Sequence, residues 1–148
     1  MPQFKKENYL LDYIDGLKNL KTSFAFPIGT VITEEKNRLE ILKLLKDQDL
    51  QILEAEEKNI EEVIKHLFYF LENKINFAIN IKNSIPTLLN IFIKDLANGR
   101  VEIVFSDASR KVVENIEPGF FGVLVLNSDL YQRLDLENIN SSFCNLIN

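Results

Sequence analysis

Acidic residues stand just past three apolar segments that read as strands: Glu54 after residues 50–53, Asp107 after 100–105, and Asp129 after 121–126. Ligand sites in open α/β sheets lie outside the carboxyl ends of the strands. If these three strands are parallel, the three carboxylates fall along one edge. Clustered carboxylates hold Mg²⁺ or Mn²⁺, and such an ion can activate water for phosphodiester hydrolysis. The chemistry implied is that of a metal-dependent phosphoester hydrolase, of the nuclease or phosphatase kind. Acids after strands are also ordinary turn and cap residues, so the pattern has poor specificity.

Other reactive residue types are sparse. His66 is the single histidine, so a His pair or a His-rich metal site is ruled out. It falls mid-helix at the border of an apolar stripe, whereas catalytic histidines usually sit on loops. Cys144 is the single cysteine and cannot form an internal disulfide, which fits a reducing compartment, or an oxidising one where nothing needed stapling; a cytoplasmic location is the expectation. Nothing around it would lower its pKa. Neither a dinucleotide-binding glycine fingerprint nor a P-loop occurs. Gly29-Thr30 precedes a helix whose N-terminus could take a phosphate, but one glycine reads first as a turn. The acidic run Glu54, Glu56, Glu57, Glu61 and Glu62 reads as a solvated helix start.

Six aromatic residues lie near the termini or near turns: Phe4, Tyr9, Phe120, Phe121, Tyr131 and Phe143. Exposed together, they would form a surface for a protein partner or for self-association as a homodimer. The plain alternative is that they complete the core. Because catalytic signatures are missing, a non-enzymatic interaction module is the first expectation and needs no cofactor. The hydrolase with Mg²⁺ or Mn²⁺ is the alternative, and enzyme activity stays open. A net charge of −5 argues against broad attraction to nucleic acid. The longest apolar run, from Phe120 to Leu126, is far shorter than the roughly 20 residues of a membrane span. No apolar segment follows the N-terminal lysines, so a secretory signal is not expected.

The elements that must position these residues follow from periodicity. At 148 residues the chain suits one domain, 1–148. Leu10, Tyr13, Ile14, Leu17 and Leu20 fall at helical spacing over 7–20. Residues 23–26 read as a short strand, closed by a turn at Pro27 and Gly29. Thr33 reads as an N-cap for a helix to Lys46 that buries Leu39, Leu42 and Leu45. Asn59 caps a helix through Leu71, and Ser84 and Pro86 open one that Asn98-Gly99 ends. Residues 75–82 alternate apolar with polar, which predicts one buried face and one wet face.

Residues 106–119 allow a short helix, or a hairpin turn at Ser-Asp-Ala-Ser followed by a strand in an antiparallel meander. Leu136, Ile139, Phe143 and Leu146 predict a C-terminal helix. Alternating helices and strands predict an α/β fold, with a mixed sheet of about five strands and helices packed on it. The wet face of 75–82 keeps a two-layer α+β arrangement, with an antiparallel C-terminal meander, as the alternative.

Overall fold

A segment covered on both faces must be apolar without alternation, and Ile-Gly-Thr-Val-Ile-Thr meets that condition. In the computed structural model, which describes residues 2–19, 28–116, 119–133 and 144–147, it forms the buried strand β1 (Ile28–Thr33). The turn expected at Gly29 is thus strand interior. A Cβ on Gly29 would lie 2.7 Å from side-chain atoms of Leu17 and Tyr13, so glycine is needed there for close approach of α1 (Pro2–Lys18). Turn signals and close-approach signals are the same residue type, which is why the strand was hidden. The strand expected at 23–26 lies outside the described residues.

The chain continues through α2 (Arg38–Asp47), β2 (Gln51–Ala55), α3 (Ile60–Asn73), β3 (Phe77–Ile81) and α4 (Thr87–Ala97). An antiparallel ribbon follows, β4 (Arg100–Val104) with β5 (Arg110–Glu114), then β6 (Gly122–Leu126), α5 (Ser128–Arg133) and β7 (Cys144–Ile147). Five strands make one sheet in the order β2-β3-β6-β1-β7, with every pairing parallel. The α/β class stands. The antiparallel part is a separate two-stranded ribbon, and β6 goes to the middle of the main sheet rather than continuing a meander.

Each face of the sheet carries its own core. Leu10, Ile14 and Leu17 of α1 join Ile41 and Leu45 of α2 against Val31, Ala78, Val123 and Val125. On the other face, α3, α4, the ribbon and Leu130 of α5 cover Phe77, Ile79, Ile81, Leu124 and Leu126. Leu67, Phe77, Ile79, Phe92, Ile103 and Val125 are all buried.

Three local expectations are corrected. β3 has no wet face: it is buried along its whole length between β2 and β6, and Asn80 is polar because it meets a buried cation. The α2 stripe is rotated. Leu39 is 81% exposed, and the inward positions are Arg38, Ile41 and Leu45. Leu146, expected on a helix, lies in β7 beside Ile32 of β1; Leu136, Ile139 and Phe143 lie outside the described residues.

Candidate functional site

The loop after β1 must turn from the sheet into α2. It does so through a 3-10 turn at Glu35–Asn37, which delivers Arg38 as the first residue of the helix. That register drives the guanidinium under the sheet, where Arg38 is 1% exposed. Its Nη1 donates to Asn80 Oδ1 at 2.6 Å, to the Ile81 carbonyl at 3.2 Å and to the Val125 carbonyl at 3.4 Å. Its Nε donates to Glu35 Oε2 at 2.9 Å. Asn80 Nδ2 in turn donates to Glu54 Oε2 at 2.8 Å. One side chain thus ties together the carboxyl ends of β3 and β6 and, through Asn80, that of β2.

The network is incomplete. Nη2 of Arg38 is buried with no acceptor, and so is Nδ2 of neighbouring Asn37. A buried donor without a partner forfeits about 1–3 kcal/mol, more when the group is charged. Buried polar groups in native proteins are nearly always satisfied, so two adjacent exceptions call for an explanation. Both sit at the start of a ten-residue helix, the positive end of its dipole.

The topology also singles out this place. β1 and β6 are neighbours, but the chain leaves β1 toward β2 and leaves β6 toward β7. Their following helices pack on opposite faces, Ile41 of α2 on one side and Leu130 of α5 on the other. Such a switch point opens a crevice at the carboxyl ends of the strands. A shallow depression lies there, lined by Ile32, Thr33, Glu34, Asn127, Ser128 and Asp129.

No family model matches this chain, and no curated protein matches it either. The chemistry of its own residues is therefore the guide to function.

The three carboxylates singled out from sequence occupy three different places. Glu54 is on the edge strand β2 and accepts from Asn80. Asp129 opens α5 and lines the crevice. Asp107 sits in the ribbon turn, where its carboxylate accepts from the Ser109 N–H at 2.9 Å and from the Ser109 hydroxyl. Among the described residues, no three of His, Cys, Asp and Glu form a group that could hold a metal ion. Asp107 has a turn-forming role instead. The Ser109 hydroxyl, then the Ser109 N–H, hold its pKa below the ordinary value. A depressed carboxylate supports the turn above its unfolded pKa, and that support fades as pH falls through the folded one. Ser109→Ala should return the Asp107 titration toward the ordinary aspartate range, read by carboxyl NMR. An unchanged midpoint would mean the hydroxyl does not set it.

The aromatic set also divides. Phe120 and Phe121 are core residues rather than surface, one in each of the two cores, and Tyr131 is partly buried against the core that holds Phe120. Tyr9 alone among those described is openly exposed, at 67%. Phe143 and the Phe4 side chain lie outside the described residues. His66 is exposed on α3, with Nδ1–H donating to the Glu62 carbonyl at 2.8 Å. Sequence reasoning missed Arg38, Asn80 and Glu35. The one available signal was a polar Asn80 within an otherwise apolar strand.

Proposed function

We propose that this chain is a non-enzymatic recognition module that binds an oxyanion-bearing partner at the carboxyl ends of β1, β3 and β6. The observation that carries this reading is the buried Arg38 guanidinium with an unpaired nitrogen. Taking a cation out of water costs several kcal/mol, and a fold that needed only packing could place an apolar residue there. Arginine suits planar, two-point recognition of a carboxylate or phosphate. The start of α2 adds the positive end of a helix dipole. Position at the switch point of a parallel sheet adds further support.

The hydrolase alternative would need Glu54, Asp107 and Asp129 around one ion, and they stand apart as described. Of the six aromatic residues expected to form a homodimer surface, Tyr9 is the one exposed among those described; Tyr69 on α3 is a separate exposed ring. The test is an NMR titration of the full chain with inorganic phosphate at constant ionic strength. Amide shifts should concentrate at residues 34–38, 80–82 and 125–128. Shifts scattered over the surface, or none, would overturn the proposal.

A further inference from the structure

The guanidinium group has two edges able to grip an oxyanion at two points. One is formed by the two terminal nitrogens, the other by Nε and Nη2. In Arg38, Nη1 is committed to the sheet through Asn80 and two main-chain carbonyls. The Nε–Nη2 edge is only half used. Glu35 meets Nε through one oxygen, and Nη2 has no acceptor. The Glu35 side chain is 71% exposed, so the carboxylate on this edge reaches water although the guanidinium is buried.

We infer that the Nε–Nη2 edge of Arg38 is the binding site for a bidentate oxyanion, a carboxylate or a phosphate monoester, and that Glu35 is the resident carboxylate it displaces. This rests on the recognition-module reading above and goes further by naming the atoms and the competitor. The incoming group supplies two oxygens where Glu35 supplies one. It thereby satisfies Nη2, and a phosphate keeps a further oxygen for the unpaired Asn37 amide. Glu35 can leave at low cost because its carboxylate passes back into water and it belongs to a three-residue turn.

The neighbouring charges define what is selected. Glu34 is engaged by Lys36 at 3.3 Å, and Glu54 is held through Asn80. With exposed Asp129 they lower the affinity for every anion, although exposed charges are screened by water and salt. A monatomic anion gains only one contact against that field. A two-oxygen group gains two, so chloride should not substitute.

The experiment compares the wild-type chain with Glu35→Gln, which keeps shape and removes charge at an exposed position. Each is titrated with inorganic phosphate and with acetate, against chloride at matched ionic strength. Amide shifts at 34–38 give the affinity, and thermal melting gives the linked stabilisation. Glu35→Gln should bind the oxyanion about two- to fivefold more tightly, the free energy of one ion pair whose carboxylate lies in water. Its ligand-free melting temperature should fall while its ligand-induced rise grows. A merely structural Glu35 would give the fall without the larger rise. The order of phosphate and acetate affinities assigns the partner's group. Wild-type binding at 34–38 that is equal or weaker in Glu35→Gln overturns the displacement and leaves the recognition site standing. No binding to either protein overturns both.

Discussion

Arg38→Met should destabilise the fold by about 2–4 kcal/mol, measured by urea unfolding. Two effects oppose each other. Methionine fills part of the space and removes a desolvated charge, which is favourable. Against that, Asn80 Oδ1 and the Ile81 and Val125 carbonyls lose their shared donor at the carboxyl end of the sheet. Hydrogen bonds to a charged group contribute about 1.5–3 kcal/mol each, and the acceptors left behind carry their own desolvation cost. The loss of partners should therefore win. Adding Asn80→Leu removes the stranded amide, and the double variant should recover at least about 1 kcal/mol relative to Arg38→Met alone. A single variant within about 0.5 kcal/mol of wild type would show that the guanidinium does not hold the sheet together.

Phe77→Ala should cost about 3–5 kcal/mol by the same measurement, as deletion of a fully buried aromatic ring usually does. Phe77 is the first residue of β3 and pairs in register with Gln51 and Gly122. Its ring stacks on Phe70 at 5.9 Å between centroids. Its atoms also fill the space above Gly122, where an added Cβ would come within 2.5 Å. Gly122, the residue opposite it in β6, has no side chain with which to close that void. A loss below about 1 kcal/mol would show that the register of β3 against β6 is wrong.

Much of this architecture is legible in the sequence. The α3 helix was marked by Asn59 and the α4 helix by Pro86 and Asn98-Gly99, and these boundaries hold. Short-range signals of that kind are carried by residues adjacent in sequence. Arg38 was illegible for the opposite reason. Leu39, Leu42 and Leu45 made a self-consistent stripe, yet the helix faces inward one residue earlier. What permits a charge there is a set of acceptors 42, 43 and 87 residues away. Hydrophobic periodicity cannot register a polar group matched by so distant a partner. Asn80 misled in the same way, since a polar residue in a strand reads as contact with water. The three carboxylates stand on β2, in the ribbon turn and at the start of α5, and where β4 and β6 go was left open by residues 106–119.

The place of β1 in the sheet has a consequence for the order in which the chain can assemble. This strand is made early, but both of its neighbours, β6 and β7, are made late. Ile28 finds its partner only in Gly122, and Thr30 its other partner only in Cys144. During synthesis β2, α3, β3, α4 and the ribbon can all pair locally while β1 waits with both edges bare. Such long-range parallel pairing is slow to form and leaves strand edges available to other chains. The arginine that β1 delivers is in the same position: Val125, one of its acceptors, arrives with β6. A nascent chain halted before residue 122 therefore holds an unpaired interior strand and an unmatched cation, and is the form most in need of protection from aggregation.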